Sequence, residues 1–265
     1  MDRLRAQRWG ISALGALLAV FLLAPVLALL GSSSLTELAR GLSAPRSIAA
    51  LELSVFTSTV SLAVVCALGT PLAWTLAQSR TRFSRAVETV LQLPMVIPPA
   101  VAGVALLLAF GRQGLFSGVL YPRGESLAFS TIAVIIAEVF VSGPFFVQTA
   151  IAAFRAVDEQ TLLVARSFGA GPWRVLARIA VPLARRGLVA GAAMSWARSL
   201  GEFGATLMFA GNLEGRTQTL PLAIYTAFES DRRAAQSLSV VLVLVALVVL
   251  LVVRATREDR TESAR

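Results

Sequence analysis

The sequence predicts an all-α integral membrane protein with six transmembrane helices. Hydrophobic residues make up 56% of the 265 residues and charged residues only 15%, whereas ordinary soluble domains contain about 25% charged residues. Six apolar runs are each long enough to cross a hydrocarbon core of about 30 Å as a helix. The arginines are concentrated in the polar segments between these runs, which favours a membrane protein over a nucleic-acid-binding one.

The six runs divide the single predicted membrane domain into a first helix, a core and a last helix. The first run is longer than the core of a signal peptide, and no clear small-residue cleavage site follows it, so we expect an uncleaved helix over about 10–30. The core helices fall within about 51–211, and the last helix covers about 235–253. In chain order the runs are Gly10–Leu30, Leu51–Ser79, Val87–Gly111, Ala128–Phe154, Pro182–Gly211 and Ala235–Val253.

The distribution of arginine predicts that both termini are cytoplasmic. With the N-terminus inside, the cytoplasmic segments contain sixteen arginines and the outside segments contain seven. Short cytoplasmic loops of membrane proteins carry an excess of basic residues. The opposite orientation would place the larger number outside, so it is disfavoured.

The residue types exclude several functions. All 24 basic residues are arginine, and the chain contains no lysine and no histidine. A Walker A loop needs a lysine on the nucleotide phosphates, so we expect no ATPase site. Catalytic triads and metal or haem sites that depend on histidine are excluded too. Cys66 is the only cysteine, which excludes an intrachain disulfide and a cysteine-rich metal site. Together, these residue types lead us to expect no catalytic residue, no metal site and no cofactor bound by this chain.

The cytoplasmic segment over about 155–182 predicts two short helices separated by a break. Asp158 or Thr161 is suited to cap the first helix, and Gly169 to end it in a left-handed conformation. Pro172 is suited to the first turn of the next helix, whose apolar side is Trp173, Val175, Leu176 and Ile179. Such a segment fits either a docking site for a soluble partner or an interfacial helix whose arginines meet anionic lipid.

A motif in this segment resembles the EAA loop of type I ABC importer permeases. It consists of Ala165, Arg166, Ser167, Phe168, Gly169 and Ala170, followed by Ile179, Val181 and Pro182. The resemblance implies the type I permease fold in the bacterial plasma membrane, with this loop docking into an ABC ATPase subunit. The glutamate of the motif falls on Leu163 here, so Asp158 or Glu159 would have to supply its charged contact. The coupling residues implied are Ala165, Arg166, Ser167, Gly169, Ala170 and Pro182.

Two further stretches are similar to the molybdate and sulfate branch of this family. They are the proline-rich Leu93–Pro99 and the run Ala197–Met208, and the continuation through Gly215–Tyr225 is closest to the molybdate branch. The resemblance implies a homodimer with the pathway at its interface, a dimer of ATPase subunits that binds ATP, and an extracytoplasmic molybdate-binding protein. The implied cargo is molybdate, with tungstate close to it in charge and size.

Six residues inside the spans are candidates for the translocation path or its gate. Arg198 and Glu202 are four residues apart on one helix face, and ionisable residues at membrane depth indicate function by default. They fit either an attraction for an oxyanion or an internal ion pair, and Glu138 in the fourth span could share Arg198. The candidates are Pro98, Pro99, Ser195, Arg198, Glu202 and Thr206. The prolines fit a gate or a static kink, and the hydroxyls fit a polar lining or bonds to their own helix.

Two other functions remain open at this point. A sulfate or thiosulfate permease would use the same machinery, and only the run Gln218–Tyr225 argues against it. An ion-coupled secondary transporter would use intramembrane carboxylates, but such proteins often contain internal repeats, and this sequence shows none.

Overall fold

The computed structural model describes residues 2–32, 34, 36, 38, 44–120 and 126–258, and this part of the chain is helical without β-strands. A π-helical turn, Leu176–Ala180, joins two of the helices. The helices are α1 (Asp2–Gly31), α2 (Pro45–Gln78), α3 (Arg82–Val90), α4 (Leu93–Val96), α5 (Pro99–Phe110), α6 (Ser117–Leu120), α7 (Thr131–Arg155), α8 (Glu159–Ser167), α9 (Pro172–Val175), α10 (Val181–Leu200), α11 (Gly204–Ala210), α12 (Leu220–Ser230) and α13 (Arg232–Glu258).

Helix α7 is the centre of the bundle. Its most extensive contacts are with α2 on one side and α10 on the other. Its buried residues include Ala133, Ala137 and Ala150, each with no exposed surface, because small side chains allow helix backbones to approach closely. Helix α1 lies at the periphery, where its apolar side chains from Leu14 onward are exposed to the surroundings.

Three of the described helices are long and apolar enough to cross a membrane, namely α1, α2 and α7. The broken pair formed by α3–α4 and α5 would make a fourth span. Helix α10 does not meet this criterion, and it carries Arg185, Arg186 and Arg198 within its 20 residues. The all-helical membrane architecture is therefore present, whereas the count of six spans stays a prediction.

The third predicted span, Val87–Gly111, is not one helix. Helices α3–α4 and α5 are bent against each other by 116°. Ile97 and Pro98 have extended backbones, with ψ of 142° and 138°, because the residue before a proline is disfavoured in the helical conformation. Pro98 and Pro99 also lack the N–H groups that would continue the helical hydrogen bonds. The deformation predicted from the prolines is thus a complete break.

The fifth predicted span, Pro182–Gly211, is also divided. Helix α10 ends at Leu200, and α11 begins at Gly204 after a three-residue break. A further helix, α12, follows within a segment that the sequence predicted only as an outside loop. Helix α12 packs against α13 and the start of α2, where Ala50, Leu220 and Leu238 share one buried cluster.

The two broken segments pack against each other through glycines. A Cβ atom on Gly103 of α5 would lie 2.6 Å from Cβ of Met208 and 2.7 Å from the carbonyl oxygen of Ala205. A Cβ atom on Gly204 would lie 2.9 Å from Cβ of Pro99. These distances are shorter than any van der Waals contact, so the approach of α5 to α11 requires glycine at both positions.

We predict that Gly103→Ala destabilises the protein, by about 1–3 kcal/mol as for other overpacked cores. Gly143→Ala is the matched control, because a Cβ there would be 3.8 Å from its nearest neighbour, Val65. Thermal unfolding of the purified variants in detergent measures the difference. Equal unfolding midpoints for the two variants would contradict the packing described here.

Candidate functional site

The break between α10 and α11 is stabilised by the carboxylate of Glu202. Its Oε2 atom pairs with Nη2 of Arg198 at 2.7 Å, and its Oε1 atom accepts a hydrogen bond from the backbone N–H of Ala205 at 2.7 Å. Glu202 therefore neutralises Arg198 and also satisfies a free N–H group in the first turn of α11. The pair predicted from the four-residue spacing is present, but Glu202 lies in the break and not on the helix.

The break between α10 and α11 and the break at Pro98–Pro99 form one site, which we call the junction. The contact of Gly204 with Pro99 brings them together. The side chain of Glu202 is almost completely buried, at 1% exposure, whereas that of Arg198 is 27% exposed. The cation thus reaches the surface of the chain while its partner remains inside. This arrangement attracts anions only weakly, because the arginine charge is already compensated.

Glu138 does not share Arg198. Its Oε1 atom accepts a hydrogen bond from the hydroxyl of Thr57 at 2.8 Å, and its Oε2 atom accepts one from the hydroxyl of Ser61 at 2.7 Å. These bonds fix α7 to α2 at the middle of the bundle. The carboxylate is 2% exposed, so the two hydroxyls replace the hydrogen bonds that water would supply.

Helix α2 carries a row of hydroxyl groups that was not predicted from the sequence. Ser54 accepts a hydrogen bond from the N–H of Leu220 at 2.7 Å, and Ser58 accepts one from Nε1 of Trp196 at 3.0 Å. The row consists of Ser54, Thr57, Ser58 and Ser61. Its spacing of three and four residues is the signal that would have revealed it, because such residues share a helix face.

The two hydroxyl residues predicted to line a path are inside the chain. Ser195 has no exposed surface and donates to the carbonyl oxygen of Ser142 at 3.0 Å, which joins α10 to α7. Thr206 of α11 also has no exposed surface. Their role in a path stays a prediction, and any path they line must open by a movement of the surrounding helices.

The second site is the segment 156–180, which we call the elbow. The carboxylate of Asp158 caps α8 by accepting hydrogen bonds from the N–H groups of Gln160 and Thr161 and from the Thr161 hydroxyl. The Thr161 hydroxyl contributes most to lowering the pKa of Asp158, followed by the two backbone bonds. Because this carboxylate is occupied within the elbow, it is poorly placed to supply the charged contact that the motif lacks at Leu163.

Helix α8 ends in the left-handed turn that the sequence predicted. Gly169 has a φ of +78°, and the N–H groups of Gly169 and Ala170 donate to the carbonyl oxygens of Arg166 and Ala165 at 2.9 and 3.2 Å. This pair of bonds is a Schellman motif. Nη2 of Arg166 also donates to Oε1 of Gln78 at 2.6 Å, so the elbow is joined to the end of α2. Ser167 makes only a local bond, to the carbonyl oxygen of Val164.

The elbow ends in the π-helical turn Leu176–Ala180, which leads directly into α10. The N–H of Val181 donates to the carbonyl oxygen of Leu176, five residues earlier. Pro182 follows directly, and a proline in a regular helix would clash with the carbonyl four residues before it. The wider turn relieves this clash. Pro182 therefore marks the point where the elbow becomes α10 without an interruption in the helix.

The outer surface of the elbow is apolar. Phe168 is 87% exposed and Trp173 is 73% exposed, and Leu163 and Val164 are exposed beside them. Of the apolar side predicted for the second short helix, Trp173 is exposed, whereas Val175 and Leu176 are buried against the bundle.

Comparisons with known proteins identify relatives over most of the chain. The family model for the binding-protein-dependent transport system inner membrane component matches residues 69–257. The chain is 46% identical over 219 residues to the molybdenum transport system permease protein ModB of Mycobacterium tuberculosis, which covers 83% of each chain. It is 36% identical over 248 residues to the probable transport system permease protein NifC of Clostridium pasteurianum, covering 93% of this chain and 87% of the relative.

A solved structure shares the fold. A chain of the bacterial alginate ABC transporter, in complex with an alginate pentasaccharide-bound periplasmic protein, superposes with a TM-score of 0.76. The superposition covers 97% of this chain and 96% of the alginate transporter chain, and the two are 16% identical in sequence. This likeness establishes the helical architecture of a type I ABC permease.

We predict that Arg198→Ala destabilises the protein by about 3–5 kcal/mol, because it leaves the buried carboxylate of Glu202 without its cation. The double variant Arg198→Ala with Glu202→Gln should be more stable than this single variant. The glutamine removes the charge but retains an oxygen for the N–H of Ala205. Thermal unfolding in detergent compares the two, and a double variant less stable than Arg198→Ala would refute the ion-pair assignment.

Proposed function

The chain belongs to the family of binding-protein-dependent transport system inner membrane components, and on that premise we propose that it is the membrane-spanning permease subunit of an ATP-driven molybdate importer. The observation that carries this function is the 46% identity, over 83% of both chains, to a molybdenum transport permease. Because this chain belongs to a binding-protein-dependent family, we set aside the alternative of an ion-coupled secondary transporter. Tungstate, which matches molybdate in charge and nearly in size, is a second cargo of the same pathway.

We infer that two copies of this chain form the pathway between them. Ser195 and Thr206 are fully buried inside one chain, so they line a polar route only when helices separate. Arg198 reaches the surface at the junction, where a second copy would face it. A homodimer thus places two compensated arginines along one route. Weak sites of this kind suit conduction, which requires that the anion be released as well as admitted.

The elbow is the proposed docking site for the ATPase subunits. Its outer surface presents Phe168, Trp173, Leu163 and Val164, which supports apolar contact in place of the charged contact of the family motif. Because the chain has no lysine, we expect ATP to bind and be hydrolysed only on the partner subunits. We propose that the elbow and both termini lie in the cytoplasm, as the arginine distribution predicts.

An extracytoplasmic molybdate-binding protein is the expected partner on the other face. The similar alginate transporter was solved with its periplasmic protein, and the family is defined by dependence on a binding protein. Since a neutralised arginine is a poor anion trap, we assign the choice of anion to the binding protein. The permease then supplies a route and its control, with little affinity of its own.

We expect deletion of the gene to reduce molybdenum-enzyme activity when external molybdate is scarce. Excess molybdate should restore this activity, because oxyanions also enter slowly through other carriers. Growth on sulfate as the sulfur source should be unchanged. A sulfate growth defect with normal molybdenum-enzyme activity would move the protein to the sulfate permeases.

We predict that Gly169→Ala weakens docking of the ATPase about fivefold or more, because a Cβ in the left-handed conformation costs about 1 kcal/mol or more. Gly171→Ala is the matched control. Both positions have free space for a Cβ, but only Gly169 has a positive φ. Affinity of the detergent-solubilised permease for its ATPase measures the effect. Equal affinity for the two variants would place the coupling site elsewhere.

A further inference from the structure

A cavity of about 920 Å³ lies between the elbow and the bundle. Its walls are the end of α2, helix α3, the end of α7 and one face of α8. None of the functions assigned above uses it. The arrangement is amphipathic, with an apolar floor and a rim that carries four arginines: Arg80, Arg85, Arg155 and Arg166.

The rim retains uncompensated positive charge. Arg155 pairs with Glu88 at 2.8 Å, and Arg166 is bonded to the neutral side chain of Gln78. Within the described part of the chain, the guanidinium groups of Arg80 and Arg85 have neither an ion-pair nor a hydrogen-bond partner. Four arginines and two glutamates line the cavity, which leaves a net charge of +2 (4 − 2). The site therefore suits an anion.

The floor suits an apolar group attached to that anion. Trp74 is half-buried and meets the buried ring of Phe154 edge to face, with ring centroids 5.3 Å apart and planes at 73°. Trp74 therefore presents the accessible aromatic surface of the floor, with Phe154 and Leu162 packed behind it. A bare inorganic oxyanion has no use for an aromatic floor, because it would lose hydration without gaining a partner. An amphiphile that carries a phosphate matches both parts of the cavity.

The depth of the cavity agrees with the headgroup region of a membrane. Helix α2 has 34 residues, about 51 Å at 1.5 Å per residue, so it extends beyond a hydrocarbon core of about 30 Å. The cavity lies at its final turns. Helix α3 exposes Phe83 and Val90 next to Arg82 and Arg85, a composition typical of helices that lie in the interface.

We propose that this cavity binds the phosphate group of an anionic phospholipid from the cytoplasmic leaflet. Arg80 and Arg85 hold the phosphate, and the glycerol and first acyl carbons lie on Trp74. The side of the membrane rests on the proposed orientation of the permease, whereas the binding itself does not depend on transport.

The bound lipid would contact the elbow from the side opposite its docking surface. Glu159, Leu162 and Arg166 are spaced three and four residues apart on α8 and all line the cavity. Leu163 and Val164 are exposed outside it. The lipid would thus brace the elbow against α2 and α3 without competing with the ATPase.

Native mass spectrometry of the purified full-length chain tests the proposal, with phosphatidylglycerol and phosphatidylcholine as probes. We expect phosphatidylglycerol to bind at least about tenfold more tightly than phosphatidylcholine. The variant Arg80→Ala with Arg85→Ala should lose this difference, since each arginine near an anionic lipid strengthens binding several-fold. The charge-matched control, Arg82→Ala with Arg186→Ala, should keep it, because neither residue lines the cavity.

A lysine variant and a competition with inorganic phosphate test whether the loss is due to charge and whether the ligand is a lipid. Arg80→Lys with Arg85→Lys retains both charges and should bind phosphatidylglycerol nearly as the parent chain does, which shows that the loss in the alanine variant is not misfolding. Millimolar inorganic phosphate should not displace the lipid. Displacement by phosphate alone would overturn the lipid assignment in favour of a soluble anion. Equal lipid binding by the alanine variant and its control would overturn the site.

Discussion

The carboxylate of Glu202 is the group on which the rest of the structure depends. One oxygen compensates Arg198 at the end of α10, and the other caps the start of α11. Removing one partner of a buried ion pair is strongly destabilising, so the two bonds of Glu202 fix the two helices relative to each other at this point. The glycine contacts of α11 with α5 then extend the constraint to the broken third segment.

This constraint gives the elbow a mechanical connection to the junction. The chain is helical from Pro172 through the π turn to Leu200, a length of about 43 Å at 1.5 Å per residue. A displacement of the elbow by an ATPase subunit would therefore move Arg198 and, through Glu202, helix α11. The hydroxyl bonds of α2 to Glu138 of α7 hold these two helices together, and α10 would move against this pair.

Local rules predicted the elbow better than the junction. Gly169 and Pro172 specify a left-handed helix end and a new first turn, and these conformations depend on a few neighbouring residues. The prolines at 98 and 99 predicted a deformation, but its angle depends on the contact of Pro99 with Gly204, which lies more than a hundred residues away in the sequence. The sequence grouped Trp173 with Val175 and Leu176 as one apolar side, but a single helical turn is too short for periodicity to show that Trp173 is exposed and the other two are buried.

Uptake of molybdate into proteoliposomes tests the central claim most directly. The vesicles would contain this chain and its ATPase subunit, with the molybdate-binding protein outside and ATP inside. We predict uptake that requires all three proteins and ATP hydrolysis and that is not inhibited by an excess of sulfate. Uptake by this chain alone, driven by a proton or sodium gradient and independent of ATP, would contradict it.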